Sequence, residues 1–327
     1  MRTFEGRSDP EQPYRHGRIL RKIERMTHAE ITHPKITHPN TVVVGVDSSA
    51  SSRGAVGWAA EYAHACGSTL VSLHAGVASG TTLSDAVNLR SGRASGAHAR
   101  ARSTLATARV VAQSVAPESL TIDTVLESDS PAEALTEHAA KARLIVLGSH
   151  DQGPFARSVF GSVSTVVASN ARCPIVVVPE KYTSAGGPVV VGLDRSPHDD
   201  AVLEAAFDQA ARLHTRVHAV HACEGVDAGA VFSENVERAP HLDLAAAAKR
   251  WLDERVGSWA QKYPSVQAST SIVQDYPSRA LLGCARHAQL IVVGARSRGA
   301  LSPLVMGSTS RAVLHHTKIP TMIVPAR

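Results

Sequence analysis

The chain carries nearly the same text twice, and that repetition restricts its possible folds more than any other feature. VVVGVDS at 42–48 returns as VVVGLDR at 189–195, and GSHDQGPFARSVFGS at 148–162 returns as GARSRGALSPLVMGS at 294–308. Asp47 recurs as Asp194, Gly148 as Gly294, Gly161 as Gly307 and Pro174 as Pro320, each 146 or 147 residues further on. Solenoids and propellers repeat every ~20–50 residues. A unit of this length is a whole domain, so the 327 residues read as a tandem duplication with two cores.

Each copy alternates strand and helix signals. TVVVGVD (41–47) is a continuous β-branched run of the kind that is buried on both faces of a sheet. A hydroxyl-rich turn, Ser48–Ser52, offers several helix caps before a helix over 54–66. Then come the strand TLVSLHA (69–75), a Gly/Ser/Thr loop (76–95), a helix over 96–115 and the strand TIDTVLE (121–127). Pro131 takes the first position of a short helix. RLIVLG (143–148), a helix over 161–171 and CPIVVVP (173–179) complete the copy. The second copy repeats the series: strands at 188–194, 217–222, 269–274, 289–294 and 319–325, and helices at 199–213, 241–263, from Pro277, and 307–317. Such alternation implies right-handed crossovers and a parallel sheet covered on both faces. The expected architecture is α/β: two tandem doubly wound, parallel, five-stranded domains at 41–180 and 188–327, joined by a linker at 181–187. Residues 1–40, rich in Arg, His, Pro and Glu and without apolar periodicity, are expected to be a disordered extension. Met26 opens an alternative start. His28, His33 and His38 sit at five-residue spacing on a Pro-interrupted stretch, which defines no metal geometry and reads as a solvated tail.

Composition removes several function classes. Lys and Arg total 34 against 29 Asp and Glu, a mildly basic balance spread along the chain. A nucleic-acid binder concentrates such charge on one face or interleaves it with aromatic platforms. Aromatics make up only 4%, so neither nucleic acid nor single strands are expected partners. The four cysteines, Cys66, Cys173, Cys223 and Cys284, share no short spacing, so neither a zinc site nor a redox pair is written. They are expected to serve as small buried hydrophobes. No apolar run reaches the ~18 residues of a membrane span, and the positively charged start, with no apolar stretch after it, is not expected to act as a secretory signal; a cytoplasmic location is the expectation.

In an open parallel sheet, ligands bind beyond the carboxyl ends of the strands where strand order reverses. Three features converge on that edge in both copies: the acid ending the first strand (Asp47, Asp194), the pair ending the second (His74-Ala75, His221-Ala222), and the loop after the fourth. That loop leaves its strand at Gly148 or Gly294 and enters a helix at Gly161-Ser162 or Gly307-Ser308. A helix N-terminus presents unpaired N–H groups and a positive dipole end, and glycine beside it lets an anion reach the backbone. This is phosphate-cradle chemistry, although Gly-Ser also serves as an ordinary N-cap. Dedicated catalytic motifs are missing. The Gly-Ser pairs lack the lysine of a P-loop, the strand-one turns DSSAS and DRSPH lack the SGGxDS of adenylating enzymes, and no Gly-x-Ser-x-Gly elbow occurs.

The pattern Gly-x2-Gly-x9-Gly-Ser/Thr after the fourth strand, with an Asp ending the first strand, resembles the universal stress protein domain, twice and in order, from about residue 40 onward. The resemblance implies an adenine-nucleotide site with ATP as the usual ligand. It implies that Asp47 and Asp194 lie beside adenosine and that Ala75 and Ala222 offer backbone groups to adenine. Gly148, Gly161, Ser162 and Val163 would hold ribose and phosphates in the first copy, and Gly294, Gly307, Ser308 and Thr309 in the second. Both copies depart from the pattern at its second glycine, which is Asp151 in one and Ser297 in the other. Asp151 repels a triphosphate unless a divalent cation, magnesium or manganese, bridges them. Ser297 can donate a hydrogen bond and is flanked by Arg296 and Arg298. The second copy is therefore expected to bind ATP more tightly than the first. In the family, final strands pair across a pseudo-dimer interface, which CPIVVVP and IPTMIVP can form within one chain, leaving surfaces for a homodimer. The leading expectation is an ATP-binding stress-response sensor or regulator. The alternatives are a degenerate-site protein that works through an unknown protein partner, and a slow ATPase.

Overall fold

Val42, Val43 and Val44 are wholly buried, and so are Val189, Val190 and Val191. β-Branched side chains shielded on both sides of a strand mark the centre of a sheet sandwiched by helices. The computed structural model describes residues 40–76, 93–149, 162–182, 186–223, 239–295 and 306–326. The expected N-terminal extension, most of the loop at 76–95 and part of the linker lie outside them. The first repeat runs β1 (Thr41–Gly45), α1 (Ala50–Ala65), β2 (Thr69–His74), α2 (Arg93–Val115), β3 (Ile122–Leu126), α3 (Pro131–Ala139), β4 (Leu144–Gly148), α4 (Ser162–Asn170) and β5 (Ile175–Val178). The second runs β6 (Val189–Gly192), α5 (Asp199–Arg212), β7 (Val217–Cys223), α6 (Ala239–Lys262), β8 (Ala268–Gln274), α7 (Pro277–Cys284), β9 (Leu290–Gly294), α8 (Ser308–His316) and β10 (Thr321–Val324).

The strands form one ten-stranded sheet in the order β3-β2-β1-β4-β5-β10-β9-β6-β7-β8. Every neighbouring pair is parallel except β5 and β10, which run antiparallel with Met322 opposite Val176. Each repeat is thus doubly wound, and strand order reverses between β1 and β4 and between β6 and β9. Those two reversals open the crevices in which a ligand can sit.

Alternation along the strands divides the interior into two layers. Val42 and Val44 join α1, α2, α5 and α6 on one face of the sheet. Val43 and Val190 join α3, α4, α7 and α8 on the other. Both layers run through both repeats, so the antiparallel seam lies inside continuous cores. On the first face the buried Gln209 amide of α5 donates to the Tyr62 hydroxyl of α1 at 3.0 Å. Burial pushes the Tyr62 phenol up to about 12.

Two expectations are corrected. The helix expected from residue 54 starts at Ala50, because Ser49 takes the cap: its Oγ accepts the Ser52 N–H at 3.1 Å. Of the four cysteines, only Cys173 is buried; the others are half-buried, and all four are free thiols. Among the described residues no helix is long and apolar enough to cross a membrane.

Candidate functional site

The acid that follows each central strand is anchored by the same turn in both repeats. Asp47 Oδ1 accepts the Ser49 N–H at 2.9 Å, and Asp194 Oδ1 accepts the Ser196 N–H at 3.1 Å. An aspartate that bonds the backbone two residues on closes an Asx turn and fixes where the following helix begins. The chain before each acid is tied to the neighbouring strand as well: Val46 N–H donates to Leu73 O at 2.8 Å and Leu193 N–H to Val220 O at 3.0 Å.

A histidine locks the second strand to this turn. His74 Nδ1 lies 2.7 Å from Val46 O, and His221 Nδ1 lies 2.8 Å from Leu193 O. A carbonyl can only accept, so Nδ1 carries the hydrogen in both rings. The adjacent residues Ala75 and Ala222 are thereby set at the lip of their crevices. The sequence pattern puts the two histidines at this edge, and the geometry assigns them a positioning role.

Gly148 brings the fourth strand into direct contact with α1. A Cβ on Gly148 would stand 2.6 Å from Ser51 C, 2.7 Å from Ser51 O and 2.9 Å from Ser52 N. Only a residue without a side chain lets the first turn of α1 lie against the end of β4. The corresponding edge of the second repeat is joined through α8, where Ser310 Oγ donates to Gly294 O at 2.6 Å and Gly307 N–H donates to Ala295 O at 2.8 Å. Gly307 is the N-cap of α8, without a side-chain capping bond. Ser308 and Thr309 occupy its first turn, where backbone N–H groups point out of the helix and favour an anion.

These residues line two pockets. In the first repeat a cavity of about 310 Å³ is lined by Asp47, Ala75, Gly148 and Val163, with Ser51, Ser52 and His74. In the second a cavity of about 550 Å³ is lined by Asp194, Ala222, Gly294, Ser308 and Thr309, with Arg195, Asp199 and His221. Both fall within or near the ~300–1,000 Å³ usual for small-molecule sites. Of the expected site residues, Asp151, Gly161 and Ser297 lie outside the described residues, and Ser162 is described only as the first residue of α4. The expected ranking of the two copies rests on Asp151 and Ser297 and so falls outside as well.

The repeats differ on the wall nearest the acid. Arg195 adopts a left-handed backbone, φ 64°, a conformation that costs a non-glycine residue roughly 1 kcal/mol. Its guanidinium lies 4.9 Å from the centre of the Trp251 ring of α6, and that ring meets His221 edge-on at 5.2 Å. The first repeat has Ser48 at the position of Arg195, and Ser52 where the second has Asp199. Asp199 is almost wholly buried, and burial, reinforced by the charge of Asp194 beside it, holds its carboxyl up at about 6. Neither Asp199 nor Ser52 was among the expected site residues. Aligning the two copies at the 147-residue offset makes the exchange visible, and only the fold makes it a pocket wall. Among the described residues no group of three or more His, Cys, Asp or Glu side chains is placed to hold a metal ion.

Comparison with known proteins bears on the family and the fold. The model of the universal stress protein family matches residues 39–179 and again 187–325. A universal stress protein of Mycobacterium tuberculosis is 34% identical over 215 residues, 64% of this chain and 70% of that protein. One from Mycolicibacterium smegmatis is 31% identical over 300 residues, 88% of this chain and 97% of that protein. The crystal structure of a universal stress protein from Archaeoglobus fulgidus shares the fold across 88% of this chain and 98% of its own, with a TM-score of 0.63 at 19% identity. The chain belongs to the universal stress protein family, with two such domains in tandem.

Proposed function

We propose that the chain binds adenine nucleotide, ATP in particular, in the two crevices at the carboxyl edge of its sheet, and that it acts in the cytoplasm as a nucleotide-dependent sensor or regulator of a stress response. The observation that carries this reading is the convergence of four elements on one pocket. The strand-end acid Asp194, the strand-end Ala222, the glycine exit Gly294 and the N-terminal turn of α8 with Ser308 and Thr309 all line the same cavity. Asp47, Ala75, Gly148 and Val163 repeat the arrangement in the first copy. The helix end suits phosphates, and the apolar strand ends beside Ala75 and Ala222 suit a base. Magnesium or manganese would accompany the triphosphate as its counter-ion. A homodimer and an unidentified protein partner belong to the same proposal.

Binding rather than turnover is favoured because neither repeat carries a P-loop lysine, an SGGxDS turn or a Gly-x-Ser-x-Gly elbow. Mass analysis of nucleotide released from the purified protein separates the readings. Bound ATP is the expected result. Absence of any nucleotide, together with no uptake of added ATP, would turn the assignment toward a protein-interaction role. Accumulation of ADP with repeated turnover would turn it toward a slow ATPase.

A further inference from the structure

The two crevices share a frame and part at one buried side chain. In the first repeat the backbone N–H of Asp47 donates to Ser52 Oγ at 3.0 Å. In the second the equivalent N–H of Asp194 donates to Asp199 Oδ1 at 3.3 Å. A neutral hydroxyl holds one turn and a carboxyl holds the other. Asp199 is only 3% exposed and lines the same cavity as the N-terminal turn of α8, the end that suits phosphate. Ionised, it sets a second negative charge beside Asp194 in a pocket read here as the site of a polyanion. Among the described residues little offsets that charge. Ser196 Oγ donates to Asp199 Oδ1 at 3.4 Å. Arg195 is drawn to the face of Trp251, and His221 commits Nδ1 to Leu193 O. His198 turns its Nε2 to Val324 O at 3.2 Å. The faces of α7 and α8 in the cavity are Pro277, Leu281, Ser308, Thr309 and Ser310, all uncharged.

We propose that Asp199 couples nucleotide binding at the second site to a proton: the anionic ligand binds the form in which the Asp199 carboxyl carries its hydrogen, whereas the first site, with Ser52 in that position, lacks this dependence. The inference rests on the nucleotide reading of the site and adds a specificity-setting residue to it. The Asp199 carboxyl already stands near 6 in the free protein, raised mainly by burial, so the proton is within reach of mildly acidic pH. Above that point, affinity falls by up to about tenfold per pH unit as the carboxyl ionises. Two nearly identical folds then answer the same nucleotide under different conditions.

The test is titration of the full chain with ATP by calorimetry at pH 5.5 and 7.5, for the native protein, D199N and D199S. D199N keeps the Oδ1 acceptor for the Asp194 N–H, and D199S installs the first repeat's residue, so one reports even if the other folds poorly. In the native chain one of the two binding events should weaken between pH 5.5 and 7.5 by about 5- to 25-fold more than the other. In both variants that excess should vanish. The phosphate ionisation of ATP is common to all three proteins and cancels in the comparison. Equal pH responses at both native sites, or an excess that survives in both variants, would overturn the proposal. No binding by any of the three proteins at either pH would overturn the nucleotide reading itself, a result distinct from binding that merely lacks the pH response.

Discussion

Gly148 and Asp199 show how one atom group at the crevice edge carries consequences for the whole site. The first turn of α1 presses its backbone against the Cα of Gly148, and backbone cannot rotate aside as a flexible side chain can. Gly148→Ala should therefore lower stability by about 2–3 kcal/mol, the upper range for forced overpacking, and weaken nucleotide binding in the first site while sparing the second. A urea denaturation midpoint and an ATP titration read the two effects. Asp199 yields a pH-dependent expectation with a definite sign. Its carboxyl stands at about 6 when folded against an ordinary value of 3.8. A group raised in this way lends its stability fully below the unfolded value and loses it as pH climbs through the folded one. D199N should thus match the native chain near pH 4 and exceed it at pH 7, by up to about 3 kcal/mol. Thermal unfolding at the two pH values checks it, and an unchanged difference across that window would contradict the burial argument.

At the scale of elements, the two repeats have solved the same capping problem unequally. Ser130 caps α3 with a reciprocal pair: its Oγ accepts the Glu133 N–H at 3.4 Å and donates to Glu133 Oε2 at 2.6 Å. At the same place before α7 stands Tyr276, 65% exposed and without a capping bond. Tyr276→Ser should stabilise the chain by about 0.5–1 kcal/mol, read as a higher denaturation midpoint. The elements themselves were largely legible before the fold, because valine runs, Pro131 and Pro277, and repeated glycines all announce strands and helix starts. The start of α1 was not. Ser48, Ser49, Ser51 and Ser52 are equivalent cap candidates on paper, and the choice falls to Ser49 because the Asp47 carboxylate already holds its N–H. A side-chain anchor of this kind, only two residues away, leaves no periodic mark in a sequence.

For the molecule as a whole, the duplication foretold two parallel sheets, and the resemblance supplied the pairing of their last strands. What the chain alone did not disclose is how far the two halves share an interior. The antiparallel register of β5 against β10 and the buried Gln209–Tyr62 bond join residues more than a hundred positions apart. Nothing local in the sequence encodes such contacts. The candidate sites were legible in outline, since Asp47, Asp194, Ala75, Ala222, Gly148 and Gly294 all reach the expected edge. The sequence expectation of inequality falls on Asp151 and Ser297, and the described residues add a further difference at Ser52 and Asp199. The central claim remains that both crevices hold nucleotide. Saturating the full chain with ATP at pH 5.5, where Asp199 retains much of its proton, and counting bound ligand tests it most directly. The account predicts two ATP molecules per chain, while saturation at one or none would contradict it.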